Sequence, residues 1–161
     1  MEMTGRAGPD LVKIFFRLGD DAPTPTETLW ARPLGDRLFE LNNSPFYAFG
    51  VSYLDKVFAA EAGDGALEFS GVAERGGHST YRVFLEEGVS SDQFEEYWKR
   101  LERLGCSYEG AKERLFSIDV PPAADIYQVY SILEEGEAAG RWDFEEAHVG
   151  HELKQGPLTS S

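Results

Sequence analysis

The chain holds one cysteine, Cys106, among 161 residues. That excludes an internal disulfide framework and any multi-cysteine zinc site. No stretch approaches ~18 consecutive apolar residues, so no membrane span is expected. Residues 1–10 are polar and carry both charge signs, without the apolar core of a signal peptide. A reducing, cytoplasmic setting is the expectation. Also missing are a phosphate loop, a dinucleotide fingerprint, an H-E-x-x-H pair and a G-x-S-x-G elbow. No cofactor and no resident metal are therefore expected. Basic residues are scattered, with no run interleaved with aromatics, which argues against a nucleic-acid platform.

Acid is what abounds. Asp and Glu number 29 against 15 Lys and Arg, a net charge of −14. The excess is lopsided: residues 1–84 carry 12 acids and 8 bases, whereas residues 85–161 carry 17 and 7. Such a surface repels nucleic acid and anionic membranes and attracts basic proteins. With 11 Phe, 7 Tyr and 3 Trp, the chain has ample apolar area for a packed core. The charge is then a surface property.

From residue 11 to about residue 85 the apolar pattern has period two. Val12, Ile14, Phe16 and Leu18 alternate with Lys13, Phe15 and Arg17, which predicts a strand with one buried face. Further strands are predicted over 26–32, 37–41, 46–49, 56–61, 66–72 and 79–85. Turn residues separate them, among them Gly63-Asp64-Gly65 and Gly76-Gly77. Short strands at this spacing favour a small barrel or a curled antiparallel sheet.

After Gly88 the period becomes helical. Ser90 and Gln93 are spaced as a capping box, and Phe94, Trp98, Leu101 and Leu104 form one stripe ahead of Gly105. A strand follows over 114–120, stopped by Pro121-Pro122. Asp125 is placed to cap a second helix with the stripe Ile126, Val129, Tyr130 and Leu133, and a last strand covers 141–146. The fold class is therefore α+β: a β-rich subdomain over 11–78, then a ferredoxin-like βαβαβ subdomain over 79–151. Residues 1–10 and 152–161 are expected as flexible tails.

Several stretches carry a resemblance. Val12-Lys13-Ile14-Phe15-Phe16-Arg17-Leu18, Glu27-Thr28-Leu29-Trp30-Ala31, Pro33-Leu34-Gly35, Gly50-Val51-Ser52-Tyr53 and Gly77-His78-Ser79-Thr80-Tyr81-Arg82-Val83 resemble an uncharacterised bacterial family known as a domain of unknown function. The likeness spans roughly residues 11–150 and implies no activity. More weakly, residues 94–146 are similar in element order to the regulator of ribonuclease activity B, an acidic bacterial inhibitor. That likeness implies a related fold and a precedent for inhibiting another protein.

Each reactive side chain meets a plainer reading. His78 and Ser79 are adjacent on a strand and point to opposite faces, so His78 is poorly placed to activate Ser79. Cys106 has no excess of positive charge nearby to form thiolate, since Glu102 and Glu109 offset Arg103. His148-Val149-Gly150-His151 lies among acids, but Gly150 and the terminal position favour a solvated segment over a metal site. The acid pairs Glu95-Glu96, Glu134-Glu135 and Glu145-Glu146 are chain neighbours that do not face each other as catalytic carboxylates must.

The leading expectation is an acidic, non-catalytic protein-binding module, of inhibitor, immunity or regulatory type, with a basic protein as its partner. Its predicted docking surface comprises Glu134, Glu135, Trp142, Glu145 and Glu146, with Trp142 as anchor if exposed. The alternative is a small-molecule binder or minor enzyme with a site around Tyr53, Asp55, His78 and Arg82.

Overall fold

The structure, a computed structural model, describes residues 10–112 and 114–158. Most of the expected N-terminal tail and residues 159–161 lie outside the described residues.

The period-two half forms β1 (Val12–Arg17), β2 (Thr26–Gly35), β3 (Leu38–Leu41), β4 (Lys56–Glu61) and β5 (Leu67–Glu74). These five strands close into a barrel. Neighbours run antiparallel except at the closing seam, where β1 meets β5 in parallel through Ile14↔Leu67 and Phe15↔Glu68. Ile14 and Phe16 point inward against Leu29, Leu41 and Val57, as the alternation requires. The strand expected over 46–49 does not form. That segment lies in an irregular connection between β3 and β4, held by side chains described below.

The second unit contains β6 (Ser79–Leu85), α1 (Ser91–Arg103), β7 (Ser107–Lys112), β8 (Leu115–Val120), α2 (Ile126–Ala138) and β9 (Trp142–His148). Its four strands form an antiparallel sheet in the order β7-β8-β6-β9. β7 was not anticipated, because it is an edge strand whose sequence, SYEGAK, has a single large apolar residue, Tyr108. Both helix starts follow the sequence. The Ser90 hydroxyl accepts from the Gln93 N–H at 3.2 Å while the Gln93 amide oxygen accepts from the Ser90 N–H at 3.0 Å. Asp125 caps α2 by accepting from the N–H groups of Tyr127 and Gln128.

The helices cover one face of this sheet. Phe94, Trp98 and Leu101 of α1 and Val129 and Leu133 of α2 share a core with Tyr81, Val83, Ile118 and Trp142. Gly136 is required there, because a Cβ at that position would sit 2.4 Å from the Trp142 ring. Residues 152–158, expected as part of a tail, are tied to the first turn of α2 through Tyr127. The Tyr127 hydroxyl donates to the Gly156 carbonyl and accepts from the Gln155 N–H at 3.1 Å. Among the described residues, no helix is long and apolar enough to cross a membrane.

Candidate functional site

Alternation along β6 and β8 leaves the other sheet face polar, with Thr80, Arg82 and Ser117 facing away from the helices. The irregular connection over 42–55 lies on that face. Ser117 donates its hydroxyl to the Pro45 carbonyl at 2.7 Å, and Ser52 and Thr80 share a hydrogen bond of 2.6 Å. Arg82, a predicted ligand contact, is buried and engaged within the fold. Its Nε donates to Glu145 at 2.8 Å, its Nη1 to the Ala48 carbonyl at 2.8 Å, and its Nη2 to the Tyr47 carbonyl at 3.3 Å. It therefore belongs to the scaffold and lies outside the group formed by Tyr53 and His78.

At the other end of β6 the structure gathers all three histidines. The Tyr53 and His78 rings meet edge to face with centroids 5.3 Å apart. His78 Nδ1 lies 2.8 Å from Asp119, so this nitrogen carries the proton and donates. Burial raises the Asp119 carboxyl above its ordinary range, with His78 and then His151 opposing that shift. Tyr53 is pushed up by burial first, then by the Asp119, Glu40 and Glu109 carboxylates. Asp55 is buried and accepts from the N–H groups of Ser52 and Gly76 and from Arg75 at 3.2 Å. Arg75 Nη1 also lies 3.4 Å from His148 Nε2. Of the four predicted ligand contacts, Tyr53 and His78 therefore converge. Asp55 braces the adjoining turn.

One arrangement here has the look of a nucleophile with its base. Ser79 Oγ is 2.6 Å from His151 Nδ1. Yet His151 Nε2 donates to the Pro121 carbonyl at 2.9 Å, where a triad needs a carboxylate, and Ser79 is 0% exposed. The Ser79 hydroxyl also accepts from the Gly150 N–H at 2.8 Å. This geometry latches the chain after β9 onto the start of β6. Gly150, read from the sequence as slack, is instead a tight crossing: a Cβ there would lie 2.3 Å from the His78 carbonyl oxygen. Among the described residues, no group of three or more His, Cys, Asp or Glu side chains is arranged to hold a metal ion. Cys106 is buried, and burial pushes its thiol up to about 12.

A groove lies where the barrel meets the uncovered part of the polar sheet face. One section, of about 680 Å³, is lined by Asp20, Asp21, Tyr47, Phe49, Phe69 and Glu145 among others. A second, of about 280 Å³, includes Phe84, Leu115 and Asp143 and shares Pro23, Tyr47 and Glu145 with the first. The two sections thus adjoin at these three residues. Phe49 is 62% exposed and Phe84 49%. The Arg82 guanidinium lies 4.6 Å from the Phe49 ring centre, and that of Arg114 lies 5.2 Å from Phe84. Among the described residues, Asp20, Asp21 and Asp143 form no ion pair.

The predicted docking surface is divided by this architecture. Trp142 is corrected outright: it is 1% exposed, packs edge-on against Phe94 and Tyr97, and donates Nε1–H to the Leu133 carbonyl. A buried indole with its one donor satisfied cannot anchor a partner. Glu135 forms a two-pronged pair with Arg100, 2.9 Å in both arms, which lowers its carboxyl below the ordinary range. Glu134 adjoins it on α2. Glu146 accepts from the Tyr81 hydroxyl on the helix side, whereas Glu145 joins Arg82 on the groove side. Glu145 alone of the five belongs to the groove. Sequence reasoning missed Phe49 and Phe84, which no local pattern marks. It also missed Glu27, although period two places Glu27 on the inward face with Leu29 and Ala31.

The family described as "Domain of unknown function (DUF4265)" has a model that matches residues 27–144. No curated protein matches the sequence. Among solved structures, the fold is similar to one titled "Novel crystal structure of a hypothetical protein from Neisseria gonorrhoeae". The TM-score is 0.74 at 19% identity, over 86% of this chain and 94% of that one.

Proposed function

The chain belongs to the family of DUF4265, and from that premise we propose that it is an acidic, non-catalytic protein-binding module. It acts as an inhibitor, immunity-type or regulatory factor on a basic partner in the cytoplasm. The observation that carries this reading is the groove, where two exposed phenylalanines stand beside Asp20, Asp21 and Asp143, which form no ion pair among the described residues. An apolar surface rimmed by charge is how association sites present themselves. The net charge of −14 speeds encounter with a basic protein and repels nucleic acid. The internal bonding of Ser79 and His151 supports a binding role over a hydrolytic one. We read the second unit as ferredoxin-like on its βαββαβ order with strands arranged β7-β8-β6-β9. The weaker likeness to the regulator of ribonuclease activity B supplies a precedent for an acidic inhibitor on such a unit.

The test is co-purification of the full chain from its native host, with identification of what elutes. The expected result is a basic protein released as salt approaches ~1 M, where the screening length falls to about 3 Å. Absence of any enriched basic protein, or retention indifferent to salt, overturns the reading. The contact between Tyr53 and His78, backed by Asp119, favours a second reading: a small-molecule site at that end of the barrel. A metabolite mixture that raises the melting temperature of the wild type but not of Tyr53→Phe would support it.

A further inference from the structure

We propose that the groove seats an extended, arginine-bearing segment of the partner protein, with guanidinium groups lodged between Phe49, Phe84 and the carboxylates of Asp20, Asp21, Asp143 and Glu145. This inference rests on the protein-binding reading above and assigns its site and ligand chemistry. Three observations carry it. The two sections, about 680 and 280 Å³, adjoin at Pro23, Tyr47 and Glu145, and each falls near the size range of ligand clefts, about 300–1,000 Å³. Phe49 and Phe84 are 62% and 49% exposed at the groove. Of the four carboxylates, Glu145 is shared with Arg82 at 2.8 Å, whereas Asp20, Asp21 and Asp143 form no ion pair among the described residues; Arg17 on the lining pairs with Glu68 at 2.7 Å, and Arg114 lies over Phe84.

The fold itself shows the contact a partner would repeat. Each exposed ring already carries a guanidinium of this chain, Arg82 on Phe49 and Arg114 on Phe84. A planar, weakly hydrated guanidinium suits such a ring better than a compact, strongly hydrated ammonium. A segment alternating arginine with an aliphatic residue satisfies both features of the lining. A second copy of this chain does not, because it brings another 14 net negative charges. A nucleic acid is repelled for the same reason.

The probe is a capped peptide, Gly-Ser-Arg-Leu-Arg-Leu-Arg-Gly-Ser, titrated into the isotopically labelled full chain near physiological salt. Its controls carry citrulline or lysine in place of arginine. Amide shifts are expected to concentrate at residues 19–23, 47–49, 84 and 143–145. Phe49→Ala with Asp143→Asn, and separately Asp20→Asn with Asp21→Asn, should each weaken binding by at least tenfold. The charge-matched pair Glu61→Gln with Glu87→Gln should change it less than twofold. All these side chains are exposed, and an unchanged melting curve confirms the fold of each variant. The citrulline peptide should not bind, and the lysine peptide should bind more weakly. Shifts spread over the whole surface, or equal loss in the charge-matched control, overturn the proposal. If a co-purified basic partner survives the groove variants and is lost with Glu134→Gln and Glu135→Gln, the groove assignment falls and the protein-binding reading stands. If no basic protein and no peptide binds, both fall.

Discussion

Glu27 of the barrel and Arg82 of the sheet hold the same piece of backbone, one by its donors and the other by its acceptors. The Glu27 carboxylate takes the N–H groups of Phe46, Tyr47 and Ala48 at 2.6, 3.0 and 2.9 Å. Arg82 gives its protons to the carbonyls of Tyr47 and Ala48 and reaches that of Pro45 at 3.4 Å. A segment with no strand of its own is thereby fixed between two cores, and with it the position of Phe49 above Arg82. Glu27→Gln removes charge from three charge-assisted bonds and turns an amide donor toward N–H groups. We expect a loss of about 2–4 kcal/mol in urea denaturation.

Arg82→Leu should cost a similar ~2–4 kcal/mol, because the carbonyls it leaves are buried while Glu145 remains partly hydrated. Arg82→Lys should recover only part, since an ammonium cannot span a carboxylate and several carbonyls in one plane. As Glu27 and Arg82 share one segment, their double variant should lose less than the two single losses combined. Additivity within ~0.3 kcal/mol would show that they act independently.

Gly136→Ala is a second test, and its sign runs against helix propensity. In an exposed helix the change should stabilise, by roughly 0.5–1 kcal/mol. Here the new methyl meets the Trp142 ring at 2.4 Å, and overpacking of this kind costs about 1–3 kcal/mol. Trp142→Phe should restore part of that loss by making room. Trp142→Ala, which opens a cavity among Phe94, Tyr97 and Leu133, should cost about 3–5 kcal/mol by the same denaturation measurement.

His148 sets a pH dependence. Burial first, then Arg75, lowers its imidazole below 6.5, with Asp55 opposing. The folded chain thus prefers the neutral ring, and below 6.5 the unfolded chain binds more protons. Stability from this group is present above pH 6.5 and is lost as pH falls toward the depressed folded value. The slope is at most ~1.4 kcal/mol per pH unit for one proton. His148→Gln should flatten the stability profile between about pH 7 and 5. An unaltered slope would place the titration elsewhere.

Cys106 should be inert in the native protein. With burial pushing its thiol up to about 12, very little thiolate exists at pH 8. Alkylation by iodoacetamide should run at least about a hundredfold slower than in the unfolded chain and accelerate with urea. Equal rates would mean that the thiol is open to solvent.

Much of the fold was legible because its signals are local. The capping box at Ser90 and Gln93, the cap at Asp125 and the alternation of Ile14 and Phe16 are each decided within a few residues along the chain. β7 was missed for the converse reason: an edge strand buries little, so SYEGAK carries almost no apolar period. The candidate site was far less legible. Tyr53 and His78 do meet edge to face, whereas Arg82 lies apart from them and Trp142, an anchor only if exposed, is buried.

By itself, then, the sequence determined most of the element types, the α+β class, the net negative charge and the helix starts, all properties of short windows or of composition. Only the tertiary structure decided what each face lies against. It buried Trp142 under Gly136, turned Arg82 toward a loop 34 to 37 residues away in the chain, and left Phe49 and Phe84 in a shared groove. The period of a strand tells which side chains share a face. The partner of that face arrives from a distant segment, through contacts that no local pattern encodes.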